Sequence, residues 1–85
     1  MKRKEITVPW DEGLHARPAS LLVRTASKFG SSIELRHKGK IANARSIISI
    51  ILLCATMGAT IEVEAVGEDE EMAIQAVEQV FSKSE

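Results

Sequence analysis

Residues Gly13–Ser20 read GLHARPAS, and two of these side chains suit phosphate chemistry. His15 carries a ring nitrogen that attacks phosphorus when the imidazole is neutral. Arg17 offers a planar, permanently charged donor fork that matches phosphate oxygens. Pro18 lacks a backbone N–H and so fits the first turn of a helix, where no intrahelical donor is required. If that helix begins at Ala16, His15 is its N-cap, and the backbone N–H groups of Ala16 and Arg17 are free to hold an anion. The helix dipole adds to that attraction. Gly13 allows close chain approach and leaves the imidazole open. Together the pieces suit a residue that accepts a phosphoryl group on His15, stabilises it and gives it away.

No second general base, metal-ligand set or glycine-rich nucleotide loop accompanies this segment. A carrier that exchanges phosphate between other proteins therefore fits better than a stand-alone enzyme, and neither a cofactor nor a metal is expected. His37 lies at a turn and is expected to be exposed. Cys54 lies in an apolar run and is expected to pack as a small hydrophobe. Residues so scattered make a poor metal site. Spacing alone still leaves a second reading in balance, in which His15 only caps a helix and Arg17 is a surface charge.

The chain has 85 residues, which predicts one domain over 1–85. A core of that size leaves no deep cavern, so function belongs at the surface. With Trp10, Phe29 and Phe81 as its only aromatics, the core must be built from Ile, Leu, Val and Ala. The single Cys54 cannot form an internal disulfide, which suits a reducing compartment. The N-terminus MKRKEITVPW is basic but has no apolar stretch of signal-peptide type. The apolar run Ile47–Met57 falls well short of the roughly 20 residues that span a bilayer. A cytoplasmic protein without membrane insertion is the resulting expectation.

Charge is unevenly spread. Residues 1–45 hold ten Lys and Arg against four acids, whereas residues 46–85 hold Lys83 against eight acids. Either this is a solvated surface with chance asymmetry, or a basic face meets anions or an acidic partner. Nucleic acid is disfavoured, because the net charge is −1 and stacking aromatics are scarce.

The elements that must position the histidine follow from periodicity. Lys4–Val8 alternates as a half-buried strand with Ile6 and Val8 on one face, and Pro9 ends its pairing. Ala19, Leu22, Val23, Ala26 and Phe29 then fall at helical spacing, with Gly30 placed as a C-cap. Ser32–His37 alternates with Ile33 and Leu35 inward, HKGK turns the chain, and Ile41 begins a return strand. SIISIILLCATMG (Ser46–Gly58) fits a buried strand by its Ile content. It also fits a short helix, by Ser46 as N-cap and Gly58 as stop; the caps favour the helix. Thr60–Val66 alternates, with Ile61, Val63 and Ala65 inward. GEDEE then opens a last helix with acids at its positive end and an inner stripe of Ala73, Val77, Val80 and Phe81. Single-faced strands suit an antiparallel sheet covered on one side. The prediction is an α+β fold of order β-α-β-β-α-β-α: an open-faced β-sandwich with a four-stranded antiparallel sheet and three helices on one face.

GLHARPAS resembles the active-site segment of HPr, the histidine-containing phosphocarrier of the bacterial phosphotransferase system. The resemblance extends over essentially the whole chain, through the Gly39 hairpin, NARSI around Ser46, and GEDEE. It implies the same open-faced sandwich and makes Ser46–Gly58 a short helix. It implies that His15 accepts phosphate, as a pros-phosphohistidine, from enzyme I. Enzyme I is itself charged by phosphoenolpyruvate, and the phosphate then passes to the IIA domains of sugar permeases. Arg17 matches the phosphate-stabilising arginine of the family. Ser46 matches a serine that an HPr kinase/phosphorylase modifies in many Gram-positive relatives, although an N-cap role explains a serine there equally. Glu12 and Trp10 depart from the common pattern. Glu12 brings negative charge towards the incoming phosphate, and Trp10 is either a docking contact or packing. These departures leave the nitrogen-regulatory branch open as an alternative. A regulatory binding protein of the same fold is a further alternative, which His15 argues against because such relatives replace the histidine.

A helix that is apolar nearly all round cannot bury every side in a two-layer fold. Some of Ile48, Ile51 and Leu52 must then stay at the surface, as apolar patches at partner sites do. The resemblance sets this helix beside His15. The predicted docking face, shared by enzyme I and the acceptor, comprises Ile47, Ile48, Ile51 and Leu52 with a basic rim of Arg17, Arg24, Lys28 and Arg45. The carrier itself is expected to be a monomer.

Overall fold

The computed structural model describes residues 1–82. Its elements are β1 (Lys2–Thr7), α1 (Ala16–Ala26), β2 (Ser32–His37), β3 (Lys40–Asn43), α2 (Ile47–Ile51), β4 (Thr60–Val66) and α3 (Glu70–Ser82). The strands form one antiparallel sheet in the order β1-β4-β2-β3, so the first strand lies at an edge beside the last. This is the α+β open-faced sandwich that the alternation and helical stripes predict.

The pleat sorts the side chains. Ile33 and Leu35 of β2, Ala42 of β3, and Ile61, Val63 and Ala65 of β4 are buried together with Ala19, Leu22 and Ala26 of α1 and Ala73, Val77, Val80 and Phe81 of α3. Burying each Leu, Ile or Val contributes roughly 1.5–3 kcal/mol, and this shared layer is the core. The uncovered face is charged. There Arg36 donates from Nη2 to Glu34 and Glu64, each at 3.1 Å, and Arg3 donates from Nε to Glu64 at 2.7 Å.

Much of the charge asymmetry is absorbed inside the fold. The Met1 ammonium meets Glu70 at 2.7 Å, Lys2 meets Glu71 at 3.5 Å, and Lys4 meets Glu78 at 2.6 Å. The basic N-terminal strand thus lies along the acidic helix α3. Each exposed pair contributes little alone; the ladder with β4 is what holds β1 in the sheet.

Several sequence expectations are corrected. The first strand runs Lys2–Thr7 rather than Lys4–Val8. Its ladder with β4 starts at Lys2↔Ala65, and Val8 has already left it to donate to the carbonyl of Ala59 at 2.9 Å. Gly30 is not the C-cap of α1; the cap is Ser27, whose Oγ donates to Val23 O at 2.8 Å. Gly30 instead donates its N–H to Asp69 at 2.9 Å. Phe29, assigned to the helix, lies beyond it and packs half-buried against the core.

Helix α2 stops at Ile51, well before Gly58. The chain turns at Cys54, which has a left-handed φ of 54°, and the turn sends Leu53 and Ala55 inward. Cys54 itself points out and is exposed, contrary to the expected apolar packing.

His37 is buried, not exposed. It continues the inward alternation of Ile33 and Leu35, and its Nδ1 lies 3.4 Å from Thr60 O. The turn that follows, Lys38 (φ 48°) and Gly39 (φ 81°), has both residues left-handed, as a two-residue hairpin of type I′ requires.

Candidate functional site

The site is built on the loop that leads into α1. Gly13 adopts φ 73° and passes so close to the segment after α2 that a Cβ would fall 2.4 Å from Ala55 O and 3.0 Å from Thr56 Cα. Leu14, buried, donates its N–H to Ala55 O at 2.9 Å. Upstream, Trp10 is buried, and its ring meets Phe81 at a centroid distance of 5.2 Å and 32° between planes. Of the two readings of Trp10, packing is the one this contact supports. The loop is thus pinned on both sides of the histidine's approach, by an aromatic pair and by a backbone hydrogen bond.

His15 is the N-cap of α1, extended at φ −91° and ψ −171°, and its side chain makes no capping hydrogen bond. The first intrahelical bond runs from Ala19 N–H to His15 O at 3.0 Å. Within the helix, the N–H groups of Ala16 and Arg17 therefore have no acceptor, and Pro18 has no N–H to offer. Free N–H groups at a helix N-terminus suit an anion, which the dipole also favours. The His15 ring is a quarter exposed, enough for a reacting group to reach it. Glu12, 79% exposed, places Oε1 3.8 Å from Nδ1 of that ring.

Arg17 is exposed on the first turn of α1, beside the histidine in sequence and on the same helix end. Arg24 and Lys28 are also exposed but lie further along: Arg24 in the last turn of α1, about 10 Å down the axis by helical rise, and Lys28 past its end.

Helix α2 packs against α1 and β3. Ser46 is its N-cap, accepting from Ser49 N at 3.3 Å. Ile50 and Leu53 are buried, whereas Ile48, Ile51 and Leu52 are 64%, 38% and 63% exposed. Ile47 is half-buried against the core. Arg45 is not a free rim residue. Its Nη2 donates to the carbonyls of Ala26 at 3.3 Å, Ser31 at 3.2 Å and Phe29, so it caps the end of α1 from the start of α2. Nothing in the local sequence marks that role, because the carbonyls it serves lie on another element.

Residues 2–83 match the family described as the PTS HPr component phosphorylation site. The chain belongs to the HPr family.

Solved HPr structures agree with this over nearly the full length. HPr from Thermoanaerobacter tengcongensis is 43% identical, with 96% of this chain and 92% of that chain covered, at a TM-score of 0.92. The phosphocarrier protein HPr of Bacillus anthracis is 35% identical, with coverage of 94% and 95% and a TM-score of 0.88. The Bacillus subtilis catabolite repression protein Crh, described as a swapped dimer, is 34% identical, with coverage of 96% and 94% and a TM-score of 0.77. HPr proteins are phosphocarriers of the phosphotransferase system rather than stand-alone enzymes. Among the described residues, no helix is long and apolar enough to cross a membrane.

Proposed function

We propose that this HPr-family protein carries phosphate on His15, taking it from enzyme I, which phosphoenolpyruvate charges, and passing it to the IIA domains of sugar permeases. The observation that carries this reading is the place of His15 at the N-cap of α1, above the N–H groups of Ala16 and Arg17. In the transfer step the lone pair of Nδ1 attacks phosphorus. The new N–P bond forms as the donor's bond to phosphorus breaks, and the donor atom keeps that electron pair. The His15 proton stays on Nε2. The helix N-terminus and Arg17 then balance the phosphoryl charge. A surface histidine in a small domain has no means of choosing a nucleotide donor, so partner proteins supply both ends of the reaction.

The exposed apolar side chains of α2 give those partners an apolar centre, with Arg17, Arg24 and Lys28 as the basic rim. Ser46, at the helix start, serves as a regulatory phosphorylation site on that face. The carrier acts as a monomer in the cytoplasm.

The test is incubation with phosphoenolpyruvate and enzyme I, followed by assay for acid-labile, base-stable phosphate. The parent should be labelled, and His15→Ala should melt as the parent does and take no label. Wild-type labelling of His15→Ala would refute the assignment.

A further inference from the structure

The carboxylate of Glu12 lies within ion-pair reach of His15, and it faces Nδ1, the nitrogen assigned above to the phosphoryl group. The contact is 3.8 Å, the carboxylate is 79% exposed, and it sits on the pinned loop, three residues before the ring. An anion at that spot is opposite in sense to the helix N-terminus and Arg17. We infer that Glu12 is a positioning residue that holds the His15 ring in the unloaded protein and is expelled by the phosphoryl group, so that it raises the tendency of the loaded protein to give phosphate away. This deepens the carrier reading and rests on its assignment of Nδ1.

The physical argument is a comparison of two states. Before loading, the carboxylate pairs with the ring in its protonated form, whose Nδ1–H it faces at 3.8 Å; that Nδ1 proton must leave before the lone pair attacks, while the Nε2 proton stays. After loading, Nδ1 is bonded to phosphorus, and a phosphoryl group with up to two negative charges occupies the volume the carboxylate faced. Like charges at about 4 Å repel even in water. Exposure lets Glu12 swing out, so the residue forfeits its contact and the loaded state carries the loss. A contact made in one state alone shifts the equilibrium towards that state. A group that makes acceptance slightly harder and release easier suits a carrier, which must not hold its cargo.

The experiment compares the parent with Glu12→Gln, which keeps shape and removes charge. Both proteins are mixed with catalytic enzyme I and limiting phosphoenolpyruvate, and the phosphoryl group is left to equilibrate between them. Glu12→Gln should hold about two- to fivefold more phosphate than the parent, the size of an exposed charge interaction. Glu12→Asp should restore the parent's share at least in part, and melting temperatures should be unchanged. An equal share would overturn the proposal. So would phosphorus found on Nε2 by NMR of the loaded ring, because Glu12 would then face the wrong nitrogen.

A second arm needs no partner protein. Phosphoramidate loads histidine directly, and phosphorus departing in a loose transition state moves away from Glu12. Glu12→Gln should then lose phosphate to water about twofold more slowly, within the same charge-pair range. If enzyme I fails to label the parent while this arm shows the slower loss, the partner assignment falls and the role of Glu12 stands. Equal loss rates in this arm count against Glu12 whatever enzyme I does.

Discussion

Gly13 and Ala55 touch through backbone: a Cβ on Gly13 would lie 2.4 Å from the Ala55 carbonyl oxygen. The left-handed φ of 73° at Gly13 adds a second reason for glycine. Gly13→Ala should therefore cost roughly 1–3 kcal/mol of stability and also move the loop that carries His15. Urea unfolding measures the first effect and the rate of phosphoryl transfer the second. Parent-like transfer in Gly13→Ala would show that the loop's pinning does not matter to the site.

Arg17 should stabilise the loaded histidine without supporting the fold, since it is exposed on the first turn of α1. Arg17→Ala should transfer phosphate at least several-fold more slowly, or lose it sooner to water, while its melting temperature holds. A charge-assisted hydrogen bond of about 1.5–3 kcal/mol corresponds to roughly ten- to hundredfold if it is fully formed in the transition state. Arg17→Lys should recover only part of the loss, because a point charge replaces a fork. Unchanged kinetics in Arg17→Ala would remove the residue from the mechanism.

Helix α2 exposes Ile48, Ile51 and Leu52, and the proposed rim is formed by Arg17 and Arg24 of α1 with Lys28 beyond it; the two groups should respond differently. Ile48→Ala should weaken binding of both enzyme I and the acceptor without altering its salt sensitivity. Arg24→Ala should lower the salt dependence of the association rate, which is where rim charge acts. Ser46→Asp should slow both transfers by bringing negative charge to the patch, yet leave the fold intact, because aspartate is also a good N-cap. Stopped-flow binding at two ionic strengths distinguishes these cases. If Ser46→Asp and Ile48→Ala both behave as the parent, the partners dock elsewhere.

Asp69 ties the start of α3 to the chain between α1 and β2, accepting from the hydroxyl of Ser31, from Gly30 N at 2.9 Å and from Ser31 N at 3.0 Å. The Ser31 hydroxyl first, and the Gly30 N–H next, hold its carboxyl below the ordinary carboxylate range. A carboxyl depressed in the native state contributes stability that is complete above its unfolded value and is lost as pH falls through the native one. Acid unfolding of the parent should thus include a component that Asp69→Asn lacks, and the two stability curves should converge at low pH. Parallel curves across that range would assign the acid sensitivity to other carboxylates.

How far the sequence discloses this molecule depends on whether the deciding contact is local. The alternation of Ile61, Val63 and Ala65 and the stripe Ala73, Val77, Val80 and Phe81 mark inward faces directly, and all seven are buried. His37 follows the same alternation as Ile33 and Leu35, and the pattern outweighs the polarity that argues for exposure. Cys54 fails in the opposite direction: an apolar run suggests a buried helix, but the left-handed turn there answers to the docking of Ala55 under Gly13, some forty residues away in sequence. Arg45 is misread as a rim charge for the same reason, and the partners of the basic strand β1 are not legible either, since the carbonyls and carboxylates concerned belong to other elements. At the site, His15, Arg17 and the helix start are legible as a motif, whereas the approach of Glu12 to Nδ1 requires the folded loop.

The pairing of β1 with β4, together with the bond from Leu14 N–H to Ala55 O, has a consequence for synthesis. The histidine loop emerges from the ribosome early, but both of its anchors lie in the second half of the chain. Until residues 55–66 are free to fold, β1 has no neighbour and Gly13 has nothing to rest on. Closing contacts across so long a stretch is slow compared with forming a helix, so α1 can exist before its N-cap is set. A nascent or prematurely terminated chain would thus carry the full GLHARPAS motif and no working site, and only finished molecules would join the phosphate relay.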